Sequence, residues 1–224
     1  MERLDAFDAV FFDWDGTVID SIGSVVGCAL DALRDCGLPP VDEERIRHTV
    51  GLGLHDVMAQ LLPDGTPAQR KDLVEAYRQR WIHHYRGRAL LYPGAEEAIA
   101  WLADHDRLLA VATGKGRGGL DHDLEITGLG RFFHATRTAD QSRPKPDPAM
   151  VLELLDELGL RPNRTLMVGD TTYDLDMASS AGVPGVALLR GAHPEDLLRS
   201  RAPLACLPSI ADLIGWLAAS PDAS

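Results

Sequence analysis

The sequence predicts an α/β fold: a parallel sheet wrapped by helices, with a block of helices inserted after the first strand. Three observations lead there. Short apolar runs each end in a small polar cluster, helical patterns separate those runs, and the stretch between the first strand and Pro93 carries helical pattern alone. Runs of four or five apolar residues suit strands buried on both faces, and their alternation with helices implies βαβ units.

The first run, Ala9-Val10-Phe11-Phe12, stops at Asp13; a second, Leu108 to Ala112, stops at Thr113; a third, Thr165 to Val168, stops at Gly169-Asp170. A further run at Val186 to Leu189 follows Gly182-Val183-Pro184-Gly185. Between them, residues 94–104 place Ala98, Ile99 and Leu102 on one helical face, and residues 147–158 do the same with Met150, Val151, Leu154, Leu155 and Leu158. A closing helix is expected at about 209–218. In the inserted block, Ser21 has the position of an N-cap for a helix stopped by Gly37 and Pro39-Pro40, and further helices are expected at 42–49, 54–62 and 67–86.

Composition narrows the function. With 224 residues, 45% of them apolar and 25% charged, the chain has the balance of a soluble globular protein. A formal net charge of −12 argues against nucleic acid, whose binding rests on basic patches. No apolar run approaches the roughly 20 residues of a membrane span, and the acidic N-terminus is unlike a signal peptide. Cys28, Cys36 and Cys206 form neither an even set nor a C-x-x-C pair, so reduced thiols in a cytoplasmic protein are expected.

Four short motifs carry chemistry. In Asp13-Trp14-Asp15-Gly16-Thr17, two carboxylates at a strand mouth repel each other unless a cation such as Mg²⁺ neutralises them. An Asp-Gly turn is the plain alternative. A calcium loop is excluded, because Phe11 and Ile22 would fall at its first and twelfth ligand positions. Thr113-Gly114-Lys115-Gly116 offers a hydroxyl and backbone N–H groups to phosphate oxygens at a strand end. Gly114-x-Gly116-x-x-Gly119 also has the spacing of a dinucleotide fingerprint but lacks a convincing acidic partner, and Leu109 and Gly116 break a Walker loop.

Lys145 lies between Pro144 and Pro146, which stiffen the backbone, and it is one of only three lysines against nineteen arginines. An ammonium held there suits a transferring phosphoryl group, although an exposed loop is the commoner fate of a lysine. Asp147-Pro148 reads as an N-cap followed by Pro at the first helical position. Finally, Asp170 and Asp174, four residues apart, can face one point if a helix begins between them; an acidic helix N-terminus favoured by the macrodipole is the alternative.

In this order, the four motifs resemble the signatures of the haloacid dehalogenase superfamily, and the resemblance covers nearly the whole chain. It implies a Rossmann-like core of residues 1–16 and 90–224, with the first strand central and an all-helical C1-type cap domain at 17–89. It further implies an aspartyl-phosphate mechanism: Asp13 as nucleophile, Asp15 as acid and base, and Thr113, the Gly114 amide and Lys145 on the phosphoryl oxygens. Mg²⁺ would be held by Asp13, the Asp15 backbone carbonyl and Asp170, with Asp174 as a ligand or orienting a metal-bound water. The superfamily's dehalogenases lack the second aspartate, its phosphonate-cleaving members use a cap lysine where this chain has only Lys71, and its sugar-phosphate mutases typically carry an aliphatic residue in place of Thr17.

A phosphatase acting on a small phosphorylated metabolite is therefore expected, most similar to the phosphoglycolate phosphatase group. Pyrophosphatase, mutase and non-catalytic phosphate-binding readings stand as alternatives. Substrate choice is expected at the loop Gly51-Leu52-Gly53; Arg45 and Arg47 nearby could reach a substrate carboxylate, although an exposed surface is their commoner fate, and both monomer and homodimer are open.

Overall fold

The computed structural model describes residues 2–88 and 90–220. The expected block boundary at residue 89 and the chain ends at 1 and 221–224 lie outside the described residues. Strand β1 (Ala9–Phe12) leads through β2 (Ile19–Asp20) to helices α1 (Ile22–Asp35), α2 (Glu43–Arg47), α3 (Leu54–Leu61) and α4 (Pro67–Arg80), and back through β3 (Leu90–Leu91). Then follow α5 (Ala95–Asp104), β4 (Leu108–Thr113), α6 (Arg117–Thr127), β5 (Ala135–Thr138), α7 (Ala149–Leu158) and β6 (Thr165–Gly169). The chain closes with α8 (Thr172–Ser180), β7 (Gly185–Leu188), α9 (Glu195–Arg199), β8 (Ala205–Leu207) and α10 (Asp212–Ala218).

Six strands form one parallel sheet in the order β5-β4-β1-β6-β7-β8. The apolar run that opens the chain is its centre, since β1 pairs with β4 and β6 and all four of its side chains are buried. Side chains alternate between the faces of a strand. Val10 and Phe12 therefore join the layer built on Ile99, Leu102 and Leu213, while Ala9 and Phe11 join the opposite layer with Met150, Leu154 and Met177. Phe12 stands in register with both Val111 and Val168. That alignment brings the residues after three strands to one edge: Asp13 follows β1, Thr113 ends β4 and Asp170 follows β6. Sites in open parallel sheets form at this carboxyl edge, where the strand order reverses.

The helical block has a core of its own, built from Ile22, Val26, Leu33, Ile46, Met58 and Leu73. Helix α4 starts on a capping box, with Thr66 and Gln69 bonding each other's backbone N–H and Pro67 at the first helical position. The pattern expected as one helix over 67–86 divides at Arg80, beyond which Trp81–Tyr85 forms a π-helical turn. The antiparallel pair β2 and β3 joins the two crossings between block and sheet. Among the described residues no helix is long and apolar enough to cross a membrane, and the three cysteines are free.

Two expected caps are built differently. Ser21 precedes α1 but makes no capping bond; its hydroxyl donates to Asp15 instead. Helix α7 begins at Ala149, one residue later than Pro148 as its first turn would require, and Asp147 Oδ1 accepts the Ala149 N–H across the proline.

Candidate active site

Asp13 leaves β1 with its N–H still bonded to the Val168 carbonyl at 2.9 Å, so the sheet fixes its backbone. The side chain is 1% exposed. Its Oδ1 accepts from Lys145 Nζ at 2.6 Å, while its Oδ2 is buried with no hydrogen-bond partner among the described residues. Lys145, equally buried, also donates to Asp174 Oδ1 at 2.6 Å. Asp174 Oδ2 accepts from the Thr171 N–H and hydroxyl in the capping box that starts α8. Asp170 takes the Thr17 hydroxyl at 2.8 Å and the Ala192 N–H at 2.7 Å.

Carboxylate oxygens of Asp13, Asp170 and Asp174 lie within 4.8 Å of one another. When all are ionised, three carboxylates and one ammonium leave two negative charges in excess, in a site buried from solvent. Burial and this crowding of like charge both act against ionisation. Burial pushes the Asp13 carboxyl well above its ordinary range, and the charges of Asp174 and Asp170 add to it against the pull of Lys145. Burial, then Asp174, raises Asp170 to about 7. Burial alone would lower the Lys145 ammonium, but Asp13 and Asp174 outweigh it and hold its pKa above the usual lysine value. A hard divalent cation cancels the excess and gives the orphaned Asp13 Oδ2 a partner, so the residues present fit Mg²⁺. Glycines line this corner because side chains would not fit: a Cβ at Gly16, whose φ is +87°, or at Gly191 would fall on the Asp170 carboxylate.

Asp15 is placed differently from these three. Its Oδ1 accepts from Ser21 Oγ at 2.6 Å and from Lys115 Nζ at 2.7 Å, and its Oδ2 lies 3.0 Å from the same ammonium. Lys115 reaches on to Asp123 at 3.2 Å, whose Oδ2 also accepts the Trp14 indole N–H at 3.1 Å. Burial would lower the Lys115 pKa, yet Asp15 and Asp123 together raise it, so it stays an ammonium. The Trp81 ring lies 4.8 Å from that ammonium.

Sequence reasoning placed Asp13, Asp15, Thr113, Gly114, Lys145, Asp170 and Asp174 in one site, and the fold brings them to one corner of the sheet edge. It missed Ser21, Asp123 and Trp81, and it treated Lys115 only as part of a glycine-rich loop. The scarcity of lysine was a usable signal for Lys115 as it was for Lys145. Thr113 is buried, and its hydroxyl accepts the Lys115 N–H at 3.1 Å.

Above Asp13, Asp15, Thr113 and Gly114 lies a cavity of about 800 Å³ between the sheet edge and the helical block. Gly51, Leu52 and Gly53 line it, whereas Arg45 and Arg47 are exposed and do not. A Cβ at Gly114 would run into the Gly51 carbonyl and lie 2.6 Å from that of Leu52. Gly114→Ala is therefore expected to push the 51–53 loop off the site and lower kcat/KM about tenfold or more, with some loss of Tm because the clash is with backbone. Wild-type kinetics in that variant would mean the loop does not close on Gly114 during turnover.

The haloacid dehalogenase-like hydrolase family model matches residues 10–188. The probable phosphatase IndB of Dickeya dadantii is 34% identical over 212 residues, which are 92% of this chain and 91% of that protein. The phosphoglycolate phosphatase of Rhodospirillum rubrum is 32% identical over 218 residues, covering 93% and 90%. Among solved structures, a hydrolase from Pseudomonas syringae superposes with a TM-score of 0.85 over 93% of this chain and 96% of that one, at 24% identity.

Proposed function

The chain belongs to the haloacid dehalogenase-like hydrolases, and from that premise we propose that it is a Mg²⁺-dependent phosphatase working through an aspartyl phosphate on Asp13. The observation that carries the reading is the buried Asp13, with one oxygen on Lys145 and the other unpartnered beside two more carboxylates. A carboxylate kept from water and oriented by the sheet is a nucleophile with little to reorganise.

In the first step an Asp13 oxygen forms a bond to phosphorus as the bond to the ester oxygen breaks, and Asp15 gives its proton to the departing alcohol. Lys115 and Ser21 hold the Asp15 carboxylate while it is charged. In the second step Asp15 takes a proton from water as the water oxygen attacks the aspartyl phosphate, releasing inorganic phosphate and restoring Asp13. Thr113, the Gly114 N–H and Lys145 stabilise the phosphoryl oxygens. Asp13, Asp170 and the Asp15 backbone carbonyl would hold Mg²⁺, which would supply charge neutralisation at the transferring group, with Asp174 beside them to bind it or orient a bound water. The helical block acts as a cap that shields the site, with the 51–53 loop at its edge.

The test is hydrolysis of a panel of phosphate monoesters with Mg²⁺ and with a chelator. Turnover that depends on Mg²⁺ is expected; chelator-insensitive turnover, or none on any ester, would remove the reading. Metal binding should also be visible without activity. Saturating Mg²⁺, at about a hundredfold over its Kd, is expected to stabilise by about 2.7 kcal/mol. The effect should be larger at pH 8 than at pH 5.5. A carboxyl raised from its ordinary value to about 7 favours the metal-free fold in acid, and that stabilisation is lost as pH rises from about 4 to 7. Below pH 7 the proton and the metal compete for Asp170. A Tm increment that is equal at both pH values would contradict this.

A further inference from the structure

The cavity above Asp13 is far larger than a two-carbon leaving group requires. Even at a water's share of liquid volume, about 30 Å³, for each of roughly nine heavy atoms, phosphoglycolate would occupy only about a third of its 800 Å³. Cavities of this volume hold molecules the size of drugs and cofactors.

Its walls also differ from those a small anion needs. The helical block contributes Val25, Ala29, Val57, Tyr77, Trp81 and Ile82. Tyr77 and Trp81 are one helical turn apart, with their rings stacked at 12° and centroids 6.0 Å apart, and both line the cavity. Against this, the cations of the cavity are either committed or at the rim. Lys115 is spent on Asp15 and Asp123, His55, Arg78 and Arg86 are exposed, and Arg86 donates to the Gly118 carbonyl. Among the described residues, the block therefore brings no buried cation to meet a leaving-group carboxylate. A desolvated carboxylate without such a partner is costly, whereas an apolar ring gains by leaving water.

We infer that the substrate is a phosphate monoester of an alcohol carrying a ring-sized, apolar or aromatic body, seated against Tyr77 and Trp81. The inference rests on the phosphatase reading for its phosphoryl end and on the cavity for its leaving group. Trp81 couples the two ends: its ring packs on the Lys115 ammonium that holds Asp15. A ring filling the wall would thus complete the cover over the proton-transfer pair and exclude water from it.

The test compares 2-phenylethyl phosphate, ethyl phosphate and phosphoglycolate, all esters of primary alcohols, so that ring and size vary without an activated leaving group. We expect kcat/KM for 2-phenylethyl phosphate to exceed both others by about tenfold or more. Trp81→Ala should bring that ratio toward one, and Trp81→Phe should keep most of it. Equal efficiencies, or a preference for phosphoglycolate, would overturn the inference while leaving the phosphatase reading intact. If no ester is hydrolysed, the phosphatase reading fails, and calorimetry with 2-phenylethylphosphonate against ethylphosphonate decides the ring pocket separately. Tighter binding of the phenyl compound supports the pocket; equal or absent binding removes it.

Discussion

Asp13→Asn is expected to lower kcat by about 10⁴-fold or more while making the metal-free protein more stable. The first effect follows from deleting the proposed nucleophile, whose partners act as a unit with it. The second follows from charge. Asp13 is buried beside Asp170 and Asp174, and its carboxyl is pushed far up because ionisation there is unfavourable. An amide of the same shape keeps the oxygen that accepts from Lys145 and cannot ionise, so at a pH where the Asp13 carboxyl would be charged it removes one of the like charges. A gain of about 1–2 kcal/mol would raise Tm by roughly 2–8 °C for a chain of this length. Stability gained by disabling a site is the expected trade when like charges are held together for chemistry. Thermal melts in chelator together with steady-state kinetics check both. Residual turnover within tenfold of wild type would end the nucleophile assignment, and a lower Tm would mean that the carboxylates are not in conflict.

The parts of the fold that were legible are those whose burial is written in the local pattern. Phe11 and Phe12 announce a strand with two buried faces, and β1 is the centre of the sheet. Strand β5 was not legible, because Ala135-Thr136-Arg137-Thr138 contains no apolar run. It is an edge strand, formed by its register with Ala110 to Thr113 and covered by α7, so its β character comes from neighbours rather than from composition. The pair β2 and β3 was hidden for the same reason, since two-residue strands have no period to detect.

The site divides in a similar way. Carboxylates after strands are visible in sequence because strand ends are visible. The Asp15 environment is not, because it is assembled across the fold: Lys115 and Asp15 are separated by 100 residues, Trp14 and Asp123 by 109. Ser21 shows how local reading misleads when a residue has two uses. It stands where an N-cap belongs, and its hydroxyl instead serves a carboxylate six residues back. Arg45 and Arg47, beside the 51–53 loop, are turned to solvent, the commoner fate of a helical arginine.

Lys145→Met is expected to have the largest effect on stability, and its cost should depend on Asp13. Removing one partner of a buried ion pair costs about 3–5 kcal/mol, because the charge left behind has neither water nor counter-ion. Here two carboxylates lose their shared ammonium, at 2.6 Å on each side. At about 2–4 °C per kcal/mol, the metal-free Tm should fall by roughly 6–20 °C, and Mg²⁺ should restore part of it by supplying charge to the same oxygens. The decisive measurement is the double-mutant cycle. In the Asp13→Asn background one of the two carboxylates is already neutral, so Lys145→Met should cost less there by about 1 kcal/mol or more. The same cost in both backgrounds would mean that Lys145 stabilises the fold by filling space, and that its ammonium is not what holds Asp13 in place.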